Sequence, residues 1–103
     1  MENLVILGAS GSIGQSTLKV VRQQPDRWRV FALTAARSVE AMLRDCLAFS
    51  PVFAVMSDAA AAKALSARLH SHGSATRVLS GAAGLCEVAA HPETDTVMAA
   101  IVG

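Results

Sequence analysis

Apolar positions in this chain switch repeatedly between continuous runs and helical spacing. Leu4-Val5-Ile6-Leu7 is a β-rich run that stops at Gly8, as expected of a strand buried on both faces of a parallel sheet. From Ser12 the period changes: Ile13, Thr17, Val20 and Val21 fall at i, i+4, i+7 and i+8, one face of a helix ending near Pro25. Trp28 to Thr34 reads as a second strand. Val39, Met42, Leu43, Cys46 and Leu47 resume the helical spacing, with Ser38 as N-cap and Ser50-Pro51 as the stop. A third strand, Phe53 to Met56, runs into Ser57-Asp58, the cap of an alanine-rich helix that carries Ala62, Leu65 and Leu69 and closes at Gly73. Arg77 to Leu79 is a short fourth strand, Ser80 caps a helix turning Leu85, Val88 and Ala89 inward, and Thr96 to Val102 is the last strand.

Strict alternation of five strands with four helices predicts an α/β fold: one doubly wound, Rossmann-like parallel sheet with helices on both faces. Its ligand crevice belongs at the carboxyl ends of the strands, beside the point where the strand order reverses. The 103 residues make one domain spanning 1–103. Hydrophobic residues make up 52% of the chain, 20 of these residues are alanine, and there is no tyrosine. No run approaches the roughly 20 apolar residues needed to span a bilayer, and Met1-Glu2-Asn3 lacks the basic flank of a signal peptide. A cytoplasmic protein with no membrane partner is expected. The formal net charge of +1 and the scattered Lys and Arg exclude a nucleic-acid partner. Cys46 and Cys86 have no partner motif and read as reduced core residues.

The chemistry concentrates in Gly8-Ala9-Ser10-Gly11-Ser12-Ile13-Gly14, a G-x-x-G-x-x-G turn between the first strand and the first helix. A helix N-terminus offers unpaired N–H groups and a partial positive charge, so a pyrophosphate is stabilised there without a formal cation. Gly8 suits the sharp exit from the strand, Gly11 lets the main chain approach phosphate oxygens, and Gly14 lets the helix pack on the sheet. Ser10 and Ser12 add hydroxyl donors. A nucleotide-triphosphatase loop is excluded, because five residues separate Gly8 from Gly14 and the lysine position is Gln15.

The end of the second strand discriminates between dinucleotides. An NAD site places Asp or Glu there for the ribose 2′-hydroxyl; this chain runs instead into Thr34-Ala35-Ala36-Arg37-Ser38. A guanidinium, a hydroxyl and the N–H groups of a helix start suit a dianionic 2′-phosphate, so NADPH is expected over NADH. The remaining polar residues carry less. His70, His72 and His91 sit at helix ends without carboxylates at ligand spacing, so no metal site is expected. Asp58 reads as a cap, Glu40 and Asp45 as solvated helix faces, and Met42 and Met98 as core. No nucleophile, base and orienting group assemble, so no catalytic residue is assigned.

Three segments together resemble the N-terminal part of the 1-deoxy-D-xylulose 5-phosphate reductoisomerase family: Leu7 to Leu18, Phe49-Ser50-Pro51 before Ala54-Val55-Met56, and Val97-Met98-Ala99-Ala100-Ile101-Val102-Gly103. The resemblance implies rearrangement of a phosphorylated sugar, 1-deoxy-D-xylulose 5-phosphate, and its reduction by NADPH to 2-C-methyl-D-erythritol 4-phosphate in non-mevalonate isoprenoid synthesis, with Mg²⁺, Mn²⁺ or Co²⁺. Carried over by position, it places cofactor contacts on Ser10, Gly11, Ser12 and Ile13, on Ala36, Arg37 and Ser38 around the 2′-phosphate, and on the Ala99-Ala100 end of the last strand near the adenosine. The family often has Ser-Thr at residues 9 and 10 and Gly-Lys-Asn at residues 36 to 38. This chain keeps the cation and the hydroxyl, while Ala36 narrows the backbone approach.

The resemblance further implies that metal carboxylates, substrate-phosphate ligands and homodimer contacts belong to a central domain beyond these residues. The chain is therefore expected to be the cofactor-binding part of a larger enzyme, inactive alone and prone to self-association through uncovered surfaces. Two other readings share the glycine turn: the NADP-binding domain of a semialdehyde dehydrogenase or extended short-chain reductase, and a non-enzymatic NADP-sensing module.

Overall fold

The computed structural model describes residues 1–100, so the expected strand residues Ile101 and Val102 lie outside the described residues. The elements run β1 (Glu2–Leu7), α1 (Ser12–Gln23), β2 (Trp28–Ala35), α2 (Val39–Phe49), β3 (Phe53–Met56), α3 (Ala59–Ser71), β4 (Arg77–Ser80), α4 (Gly81–Ala89) and β5 (Thr96–Ala99). All pairings are parallel, in the order β4-β3-β2-β1-β5. Steps from β1 outward to β4 run in one direction and the step from β4 back to β5 in the other. With one crossover hand, that reversal puts α1, α2 and α3 on one face and α4 on the opposite face.

Two apolar clusters follow this division. Leu4, Ile6 and Leu33 pack with Leu18 and Val21 of α1, Met42 and Cys46 of α2, and Leu65 and Leu69 of α3. Val5, Phe31, Phe53 and Val55 pack with Val88 of α4 on the other side. The β1–β2 register slips between Leu4 and Val5, passing over Phe31. The slip puts Phe31 and Ala32 in the α4 cluster and returns Leu33 and Ala35 to the α1–α3 cluster. His91 completes the α4 face: its ring stands 4.9 Å from Phe31 and 5.6 Å from Phe53, and its Nδ1 accepts from the Glu93 N–H at 3.1 Å.

The expected helix signals are partly realised. The Asp58 carboxylate accepts from the Ala61 N–H at 2.8 Å, and Gly73 turns the chain out of α3 at φ 71°. Ser38 and Ser80 occupy N-cap positions, yet neither side chain makes a capping bond.

Several burial expectations need correction. The buried stripe of α1 is Gly14, Leu18 and Val21, while Ile13 and Val20 are 47% and 51% exposed. Glycine itself makes the helix–sheet contact, so the stripe is rotated from the one that large side chains mark. Asp45 is buried rather than solvated, because Gln15 and Arg44 satisfy its oxygens. Met98 and Leu47 are largely exposed, as is Ala89. Among the described residues the last strand covers Thr96–Ala99.

Cys46 is buried and Cys86 exposed, so only one of the two expected core thiols is in the core. Burial, reinforced by the neighbouring Asp45 carboxylate, pushes the Cys46 thiol up to about 12 from its ordinary 9.0. The unfolded thiol ionises first, so this contribution to stability is complete below pH 9.0 and is lost as pH rises toward about 12. In thiol labelling under native conditions, Cys86 is expected to react promptly and Cys46 only as the chain unfolds. Two equally fast thiols would contradict this burial.

Candidate functional site

The glycine turn is built by hydrogen bonds from β2. Gly8 leaves β1 at φ 80°, a conformation that only glycine adopts without cost. Its N–H donates to the Thr34 carbonyl and hydroxyl oxygens, each at 3.1 Å, and the Ala9 N–H donates to the same carbonyl at 2.8 Å. Thr34 is buried and thus holds the turn, with its hydroxyl oxygen taken up by Gly8. The Gly11 N–H closes the turn on the Gly8 carbonyl at 3.2 Å.

Gly11 is the N-cap of α1 and no side chain caps that end. The first backbone bond of the helix is from the Gln15 N–H to the Gly11 carbonyl at 2.9 Å. The N–H groups of Ser12, Ile13 and Gly14 precede it and have no carbonyl within the helix. They present the partial positive charge that an anion requires.

Glycines 11 and 14 play different parts. A Cβ on Gly14 would lie 2.5 Å from the Gly8 carbonyl oxygen and 2.6 Å from that of Ala9, whereas one on Gly11 would meet only the Gly8 oxygen, at 3.6 Å. Packing thus requires glycine at 14, while the space over Gly11 is open.

A cleft of about 490 Å³ lies at the carboxyl ends of the strands. The turn supplies Gly8, Ser10, Gly11 and Ser12, the end of β2 supplies Thr34 and Ala35 with Ala36 just after it, and Ser57, Leu85 and Ala100 close the remaining sides. Of the residues expected from sequence, Gly8, Ser10, Gly11, Ser12, Ala36 and Ala100 therefore come together. Ile13 projects an exposed side chain outside the cleft, leaving its backbone N–H as the group available. Gly14 is buried in the helix–strand contact. Arg37 and Ser38 are exposed just past Ala36, beyond the cleft wall, and Ala99 is exposed at the end of β5. The Ser38 hydroxyl is not spent on capping α2; its carbonyl accepts from the Met42 N–H at 3.0 Å.

Sequence reasoning missed Ser57 and Leu85 as cleft walls. Ser57 follows the end of β3, so the strand-end rule applied to every strand would have nominated it. Leu85 was assigned to the core, although it stands on the first turns of the helix facing that end. Gln15 and Asp45 were also missed. The Gln15 Nε2 donates to the Ala9 carbonyl and to Asp45 Oδ2, both at 2.9 Å, and joins the turn to α2.

The family model of 1-deoxy-D-xylulose 5-phosphate reductoisomerase matches residues 4–103. The chain belongs to this family. It is 76% identical over all 103 residues to the reductoisomerases of Aeromonas hydrophila and Aeromonas salmonicida. It spans about a quarter, 26%, of the length of those relatives. A solved reductoisomerase in complex with NADPH, fosmidomycin and magnesium superposes with a TM-score of 0.95 at 44% identity, over 100% of this chain and 25% of that one. The Zymomonas mobilis enzyme in complex with NADPH gives 0.87 at 37% identity, over 99% of this chain and 26% of that one. Membership in the reductoisomerase family disfavours the semialdehyde-dehydrogenase, short-chain-reductase and sensing-module readings.

The two glycines give a paired test. Gly14→Ala is expected to lower stability by roughly 2 kcal/mol or more, since the clash is with backbone rather than a movable side chain. Gly11→Ala is expected to leave the urea midpoint nearly unchanged. Equal midpoints for the two variants would contradict the geometry of the turn.

Proposed function

We propose that this chain is the NADPH-binding part of a 1-deoxy-D-xylulose 5-phosphate reductoisomerase. The observation that carries the reading is the uncapped start of α1, whose unpaired N–H groups open beside a cleft at the strand ends. The identities of 44% and 37% to solved reductoisomerases in complex with NADPH support it.

In this reading the N–H groups of Ser10, Ser12 and Ile13 hold the pyrophosphate, with the Ser10 and Ser12 hydroxyls as further donors and Gly11 giving the close approach. Arg37 and Ser38, with the Ala36 backbone, hold the 2′-phosphate, and Ala99 and Ala100 flank the adenosine. Bound NADPH supplies a hydride; the chain's part is to bind and orient it.

The complete enzyme would rearrange and reduce the phosphorylated sugar as a cytoplasmic homodimer, without a nucleic-acid partner, using Mg²⁺, Mn²⁺ or Co²⁺. Among the described residues no group of three or more His, Cys, Asp or Glu side chains could hold a metal ion, and no step is assigned to a metal here. The same described residues include no helix long and apolar enough to cross a membrane. With no such group among its described residues, the chain by itself is proposed to lack turnover. Its exposed Ile13, Val20, Val97 and Met98 favour self-association.

Arg37→Glu replaces the cation proposed to face the 2′-phosphate by an acid suited to a ribose hydroxyl. It is expected to weaken NADPH binding by about tenfold or more and to raise preference for NADH, as read by calorimetric titration of both nucleotides. Unchanged NADPH affinity would remove Arg37 from the site.

A further inference from the structure

The one charged side chain in the described core is Asp45, 4% exposed, on a helix that does not line the cleft. Its oxygens are both occupied: Oδ2 accepts from Gln15 Nε2 at 2.9 Å, and Oδ1 accepts from Arg44 Nε at 3.4 Å. The same Gln15 nitrogen donates to the Ala9 carbonyl at 2.9 Å, and Gln15 Oε1 accepts from Arg44 Nη2 at 3.2 Å. A carboxylate and a carbonyl can only accept, so the atom between them has to be the amide nitrogen. Asp45 thereby fixes which way the Gln15 amide faces.

That orientation reaches the proposed ligand through one peptide plane. The Ala9–Ser10 peptide is trans, and in a planar trans peptide the C=O and N–H point in opposite directions. Gln15 draws the Ala9 carbonyl toward α2, so the Ser10 N–H is turned the other way, and Ser10 lines the cleft. Ala9 is fully buried and its own N–H is bound to Thr34. The carbonyl bond to Gln15 therefore secures the remaining side of the turn.

We propose that Gln15 and Asp45 are positioning residues for the pyrophosphate-binding N–H of Ser10. Neither touches the ligand; Asp45 orients Gln15, and Gln15 orients the Ala9–Ser10 peptide. The proposal rests on the NADPH reading above and adds a device on α2 that sets the geometry of the turn.

The test compares NADPH with adenosine 2′-monophosphate, which lacks the pyrophosphate, on the unsubstituted chain and on Gln15→Met, Asp45→Leu and Asp45→Asn. Gln15→Met and Asp45→Leu are expected to weaken NADPH about five- to tenfold, the worth of one well-placed hydrogen bond, and to leave adenosine 2′-monophosphate unchanged. Asp45→Asn keeps an oxygen that accepts from Gln15, so its NADPH affinity is expected to stay near that of the unsubstituted chain. The ligand-free Ala9 carbonyl ¹³C resonance should move in Gln15→Met and Asp45→Leu and hold in Asp45→Asn. Should Asp45→Leu fail to fold, Gln15→Met decides. NADPH affinity unaffected by Gln15→Met, or an equal loss for both ligands, would overturn the proposal while leaving the cofactor reading in place. An unsubstituted chain that binds neither ligand would overturn the cofactor reading, and the proposal with it.

Discussion

The first turn of α1 meets the exit of β1 with no side chain between them. A Cβ on Gly14 would be 2.5 Å from the Gly8 oxygen, so the two elements join backbone to backbone, and the rest of the site depends on that approach. It brings the uncapped helix start beside the strand ends, with Gly11 and Ser12 in the wall of the cleft. Thr34 fastens the turn to β2 and Gln15 fastens it to α2. The short loop is thus held by its neighbours on both sides, with Ala9 in the core beneath it.

This arrangement explains how a chain with a net charge of only +1 can offer an anion site. The donors are backbone N–H groups in the field of a helix start, and they need no cation in the cleft wall. The cation that the proposed function requires, Arg37, stands outside that wall, where it faces solvent and can meet a second phosphate. Pyrophosphate and 2′-phosphate would then be recognised by different physics: fixed backbone dipoles for the one and an exposed guanidinium for the other. In that proposal, affinity at the first would depend on the geometry of the turn, and selectivity at the second on the sign of a single side chain.

Much of the architecture was legible in the pattern of apolar residues, because continuous runs and helical spacing have different periods and each boundary carries a Gly, Pro, Ser or Asp. The division of helices between faces followed from strand order and crossover hand alone. The sequence was misleading where burial is achieved without large side chains. In α1 the central contact is Gly14, which no hydrophobic count registers, so the pattern marks Ile13 and Val20 as inward although both are exposed. Asp45 is buried because partners distant in sequence, Gln15 above all, satisfy it, and helical spacing cannot reveal such a partner. Met98 lies on β5, which pairs with β1 alone among the described residues, so a strand composed like a central one is largely exposed. Glycine positions in the glycine turn were legible because a local motif dictates them; Ser57 and Leu85 were not, because they reach the cleft only through the tertiary fold.

In the proposed function the turn and the start of α2 together recognise NADPH. Backbone amide resonances of the ¹⁵N-labelled chain, followed through titrations with NADPH and with NADH, address it most directly. The account predicts saturable shifts at Ser10 to Gly14 with both nucleotides, and at Arg37 and Ser38 with NADPH alone. Glycine-turn amides that neither nucleotide moves would contradict it.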